Sequence, residues 1–290
     1  MARLEDRHPG GAPGDWFVDS RCIDCDASRH MAPGLIVRNP ADGVSLFARQ
    51  PETHDEVEMA WRAAMVCPTR SVGHVTLRRP EAPVFPQALG DGVFRLGYNS
   101  RSSFGAHSYL VQRAGANLMI DAPRWTREVV EPVAALGGIG HVLLSHRDDV
   151  ADAERYAERF GARVWIHASD ADAAPFATEL VDGREAVTIA DGVVGFPVPG
   201  HTEGSVLFHV DGHLLFSGDS LAWHPRRKQL IAFRNACWFS WSEQTASLGR
   251  FAESGLRFDR LFCGHGWSYD APADDFAVLL ADLVARMPAM

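Results

Sequence analysis

Three glycine-flanked turns, each placed where an apolar run stops, constrain this chain more than any other feature. They read Gly200-His201-Thr202-Glu203-Gly204-Ser205, Phe216-Ser217-Gly218-Asp219-Ser220 and Cys263-Gly264-His265-Gly266. A polar residue on a glycine turn just past a strand projects from the strand end. Imidazoles and carboxylates so placed on separate segments are the ligands a borderline divalent ion takes. The fold must therefore bring distant strand ends to one edge, and His201, Asp219 and His265 are candidate metal ligands.

A fourth strand end, Leu144-Ser145-His146-Arg147-Asp148-Asp149-Val150-Ala151, adds His146 to that set. Together the ordered turns resemble the metallo-β-lactamase superfamily of hydrolases over roughly the last two thirds of the chain. The superfamily's usual His-x-His-x-Asp-His signature is incomplete here. Asp148 stands at the second histidine, while Val150 and Ala151 replace the Asp and His that help hold a second metal. The resemblance implies one strong site of His146, His201 and Asp219, zinc or iron, with His265 beside it. Asp148 and Asp149 are the candidate proton-accepting carboxylates, and both also offer oxygen ligands for a harder second ion. The segment after Asp219 carries His224, Arg226, Arg234 and Trp238, a cationic and aromatic set expected to line a pocket for a small, anionic substrate. His107 and His167 end strands near the same face, and His167 reads as structural.

Near the N-terminus, Cys22-Ile23-Asp24-Cys25 is followed at a distance by Cys67-Pro68. This arrangement resembles the single-cluster bacterial ferredoxins, in which three close cysteines and a Cys-Pro hold an iron–sulfur cube. Ser28 occupies the third cysteine's place, and a hydroxyl is a poorer ligand for cluster iron than a thiolate. The implied alternatives are a cluster completed by Ser28 or His30, a structural zinc on Cys22, Cys25, His30 and Cys67, or free thiols on a vestigial fold.

Apolar periodicity completes the outline. Thr53 and Glu56 form a capping box for a helix whose Val57, Trp61, Ala64 and Met65 share one face. Short β-type runs alternate with helical stretches near Arg127 to Leu136 and Asp152 to Phe160, and a last helix places Phe276, Leu280 and Leu283 on one stripe. The pattern alone gives layered α/β or α+β structure; the expected fold class is α+β, the resemblance implying an αββα metallo-β-lactamase sandwich over residues 93–290 joined to a small ferredoxin-like α+β domain over 1–77. The proline-rich stretch 78–92 serves as linker.

The 290 residues carry a formal net charge of -9, which argues against a protein that coats nucleic acid or an anionic membrane. The first residues lack the apolar stretch of a leader or span, so a cytoplasmic protein is expected. Three functions follow as expectations: a metal-dependent hydrolase of an ester, thioester, lactone or phosphoester; an iron-dependent redox enzyme fed electrons by the N-terminal cluster and hence by a redox partner; or a non-catalytic binding module on a degenerate site.

Overall fold

The computed structural model describes residues 2–289. The backbone divides into two compact units, residues 1–117 with 122–138, and residues 118–121 with 139–290.

In the first unit, Trp16–Val18 pairs antiparallel with Val72–His74, and the hairpin Ile36–Arg38/Ser45–Phe47 lies in the same unit. The His54–Val66 helix begins as its sequence predicts, with Thr53 Oγ1 accepting from the Glu56 amide at 3.2 Å. Trp61 and Ala64 bury its apolar face with Trp16, Leu35, Ile36 and Phe47. The loop carrying Cys22 and Cys25 is pinned by charge: Asp24 pairs with Arg29 and Arg38 at 2.7 Å each. Residues 78–92 do not form an open linker. Val84 and Phe85 are buried in this core, and Gln87–Gly90 is a strand paired with Val93–Arg95. Three prolines stop structure only up to Pro86, beyond which backbone donors are again free to pair.

The second unit holds two sheets. Leu118–Ile120, His141–Leu143, Arg163–His167 and Glu179–Val181 run parallel. The other sheet orders Val187–Ala190, Val193–Pro197, Val206–Val210, Leu214–Phe216, Arg260–Phe262 and Tyr269–Asp270, antiparallel except where Leu214–Phe216 meets Arg260–Phe262. The final helix, Ala273–Arg286, buries Phe276, Leu280 and Leu283 as its stripe predicts. The helix Trp241–Glu253, capped by Ser240 Oγ, was not expected; its apolar face is thin, with Leu248 and Phe251 buried beside the polar Gln244 and Ser247.

That single parallel pairing positions the candidate site. Phe216 and Phe262 are register partners, so Asp219 and His265, each three residues further on, emerge at one edge. The Gly264 amide donates to the Gly218 carbonyl at 2.9 Å and locks the two turns together. Among the described residues no helix is long and apolar enough to cross a membrane.

Candidate metal centre

His146, His201 and Asp219 come together, although 73 residues of chain separate the first from the last. One ligand atom from each lies within 4.8 Å of the others. All three are buried. Asp219 Oδ2 is 3.9 Å from His146 Nε2, 3.8 Å from His201 Nε2 and 3.8 Å from His265 Nε2. An ion with bonds of about 2.0–2.2 Å spaces its ligands roughly 3–4 Å apart. The cradle has that size.

The polar atoms facing it are otherwise orphaned. His146 Nε2, His201 Nε2 and both oxygens of Asp149 are buried with no hydrogen-bond partner among the described residues. Leaving such an atom unpaired costs about 1–3 kcal/mol, more when charged, so a folded chain keeps several together only where a cation satisfies them. The residues present fit a metal ion.

His146 is held for that purpose. Asp121 accepts from the Ser145 amide at 2.7 Å and from Ser145 Oγ at 2.9 Å, and the same hydroxyl lies 2.9 Å from His146 Nδ1. With Nδ1–H donated to Ser145, the lone pair on Nε2 faces the cradle. Burial pushes His146 down to about 4, so the ring is neutral and able to ligate at ordinary pH. Gly218, at φ +49°, is required by space as well as by conformation, since a Cβ there would meet Ser145 Oγ at 2.5 Å. Gly264 is similarly confined: its Cβ would stand 2.6 Å from Asp219 Oδ1 and 3.1 Å from Asp149 Oδ2.

The charges divide by exposure. Burial alone would push Asp219 up, but His265, His146 and His201 outweigh it and hold the carboxyl below its ordinary range. Asp148 lies at the mouth with Oδ2 3.5 Å from His201 Nε2, and that imidazole keeps it ionised below its usual range. Asp149 is walled in, and burial together with Asp219 drives it well upward. The two adjacent aspartates, alike in sequence, are thus a solvent-facing anion and a buried acid.

Other predicted residues are placed less centrally. His265 donates its amide to Asp219 Oδ1 at 3.1 Å, and its ring Nε2 lies 3.8 Å from Asp219 Oδ2. His167 is structural: Nδ1 accepts from Ser169 N, and Nε2 meets the Gly183 carbonyl at 2.9 Å. A cleft of about 500 Å³ beside the centre is lined by Asp148, Arg147, Asp170, Glu203, Trp238 and Phe239 among others. Of the predicted substrate-binding set only Trp238 reaches it. His224 accepts from the Arg227 amide in a hairpin turn, Arg226 is exposed on that hairpin, and Arg234 stacks over Trp241 at 5.5 Å. His224 and Arg226 lie on the Ala222–His224/Gln229–Ile231 hairpin and Arg234 on the turn Arg234–Ala236 after it, and none of the three lines the cleft.

Sequence reasoning missed Asp170. Its carboxylate accepts from Arg147 N at 2.9 Å, Thr202 Oγ1 at 2.7 Å and Gly204 N at 3.3 Å, joining the loop after His146 to the loop after His201. Nothing in Ala168-Ser169-Asp170-Ala171 signals this. Asp121 was legible only as a carboxylate ending a strand.

The N-terminal cysteines belong to the first unit. The Ser45 amide points at Cys22 Sγ at 3.4 Å and the Ser71 amide at Cys67 Sγ at 3.1 Å, the kind of donor that tunes cluster sulfurs. Gly105 packs its backbone against Cys25, where a Cβ would lie 2.8 Å from the sulfur. Ser28 Oγ donates to the Ala63 carbonyl at 2.9 Å, so its hydroxyl serves helix packing. His30 sits with its ring 5.9 Å from that of His107. Cys22 and Cys25 pack against the core that contains Cys67.

Among solved structures, VMB-1 superposes with a TM-score of 0.54 at 17% identity, covering 70% of this chain and 95% of that one. The fold is that of the metallo-β-lactamases. The Pseudomonas aeruginosa enzyme FIM-1, in its mono-zinc form, shares this metallo-β-lactamase fold at a TM-score of 0.51 and 15% identity, over 69% of this chain and 93% of its own. In sequence, the hydroxyacylglutathione hydrolase of Acidiphilium cryptum is 35% identical over 125 residues, 40% of this chain and 49% of the relative. The chain thus spans about half the length of the curated relatives it matches. Outside the metallo-β-lactamase fold, the family described as the 4Fe-4S single cluster domain of ferredoxin I matches residues 18–74.

Proposed function

We propose that this protein is a metal-dependent hydrolase acting on an ester, thioester, lactone or phosphoester. The reading rests on one observation: His146 Nε2, His201 Nε2 and Asp219 converge in a buried cradle in which neither Nε2 has a hydrogen-bond partner among the described residues. His146, His201 and Asp219 would hold a single ion, as FIM-1 does in its mono-zinc form, with the His265 ring beside Asp219. When bound, such an ion supplies Lewis acidity toward the substrate's oxygen and lowers the pKa of water.

The chain's own groups do the rest. Asp148, ionised and open to the cleft, accepts the proton of the attacking water at Oδ2 and returns it to the leaving group. Asp149, buried and raised, keeps its proton and holds down the negative charge around Asp219. The Asp121–Ser145 pair fixes the His146 ring. The name of the curated relatives makes an acylated thiol the first linkage to assay.

For residues 18–74 we infer a three-thiol iron–sulfur site on Cys22, Cys25 and Cys67. The ferredoxin family match and the amide donors to Cys22 and Cys67 support it. Ser28, turned to Ala63, would leave one iron without a cysteine. This site favours the iron-dependent redox reading as the second alternative.

The test is elemental analysis of anaerobically purified protein together with ester and thioester assays. One zinc or iron per chain, lost in Asp219→Ala along with turnover, is the expected result. Turnover that persists in Asp219→Ala overturns the hydrolase reading. Labile sulfide with a band near about 400 nm, lost in Cys67→Ser, identifies the cluster.

A further inference from the structure

The cleft beside the metal centre carries two unusual features. Trp238 and Phe239 are adjacent, and their side chains are 67% and 46% exposed. Large aromatic rings left in water beside a polar site mark a surface that something else covers. They are not on a loose loop. Trp238 N donates to the His201 carbonyl at 2.8 Å, Phe239 N reaches the Gly200 carbonyl at 3.2 Å, and the neighbouring Cys237 thiol donates to Gly200 at 3.1 Å. The indole ring is thereby fixed 6.3 Å from the His201 ring.

The charge opposite them is negative. Asp148, Asp170 and Glu203 line the cleft, and the one cationic lining residue, Arg147, is bound to Asp172 at 2.7 Å. Asp170 is spent on the ligand loops, and Asp148 on the chemistry. Glu203 is exposed and has no ion-pair partner among the described residues. An anionic group entering here would meet Glu203 with no free arginine or lysine to offset it.

We propose that the group held in this cleft, beyond the scissile bond, is flat and apolar and carries no anionic charge, with Trp238 and Phe239 as its platform and Glu203 as the residue that rejects carboxylates. This rests on the hydrolase reading of the centre and names the substrate class for it. A cationic substituent is tolerated, since both the indole face and Glu203 favour one.

The test uses metal-loaded full-length protein and three benzyl thioesters that share one acyl group and differ at the para position: unsubstituted, carboxylate or trimethylammonium. Their thioether analogues, which cannot be hydrolysed, are titrated in parallel by calorimetry. The neutral and cationic compounds are expected to exceed the carboxylate about five- to tenfold in both kcat/KM and affinity. Trp238→Ala should raise KM for all three with kcat little changed, and Glu203→Lys should reverse the order between carboxylate and trimethylammonium. Preference for the carboxylate in wild-type protein, or an unchanged KM in Trp238→Ala, overturns the proposal. If the thioethers bind in the expected order while no thioester turns over, the substrate class stands and the hydrolase reading falls.

Discussion

Asp170 Oδ2 accepts the hydroxyl of Thr202 at 2.7 Å and the amide of Arg147 at 2.9 Å, so one buried carboxylate ties the residue after His201 to the residue after His146. The distance between the two imidazoles is set by this clasp as much as by the strands behind it. Groups that orient ligands typically govern metal affinity by about 10–100-fold. Asp170→Asn, which keeps one acceptor oxygen, should weaken metal binding by about tenfold in chelator competition, while the melting temperature of the metal-free protein changes little. An equal loss in apo stability and no loss of affinity would make Asp170 a packing residue only.

Gly264 stands where Asp219 and Asp149 approach from one side. A methyl group there would press on Asp219 Oδ1 at 2.6 Å, closer than any normal contact. Gly264→Ala should cost about 1–3 kcal/mol in denaturant unfolding and reduce bound metal to well under one ion per chain. Gly255, exposed at φ +71° with open space around its Cβ position, is the control: Gly255→Ala pays backbone strain alone and keeps its metal.

His146 depends on Ser145 for its tautomer. Ser145→Ala removes the hydroxyl between Asp121 and His146 Nδ1 and leaves a buried carboxylate oxygen without its donor. We expect a loss of about 1–3 kcal/mol in stability and a fall in metal affinity of about tenfold, read by thermal unfolding with and without zinc. Unaltered zinc binding would show that the Asp121–Ser145 pair serves the loop alone.

Burial pushes the Cys25 thiol up to about 12. In protein stripped of metal and cluster, the folded state holds that thiol neutral while the unfolded chain ionises it from about pH 8.5 upward. The stabilising contribution is therefore complete below that pH and is lost as pH rises toward 12. Melting temperatures of the stripped protein should decline from about pH 8.5 to 10.5, and Cys25→Ser should flatten part of that decline. Identical slopes in the two proteins would contradict it.

The turns around His201, Asp219 and His265 were legible from sequence because glycine and a polar residue after an apolar run have a local cause: the chain must leave a strand and expose a donor. The same holds for the Thr53–Glu56 cap and for the stripe on the last helix, where a periodicity within one element decides the outcome. The ferredoxin spacing of Cys22, Cys25 and Cys67 was equally local, being carried by short motifs.

Tertiary structure decided what depended on two separate segments. The parallel register of Phe216 with Phe262 placed Asp219 beside His265. Burial made Asp149 a held acid and its neighbour Asp148 an open anion, a difference that two identical residue types cannot announce. Ser28 was read as a ligand and packs on Ala63; Arg226 and Arg234 were read as a substrate wall and point elsewhere. Residue chemistry and chain spacing are written in the sequence. Which atoms face one another, and how much water lies between them, arises only when strands pair and the packing closes around them.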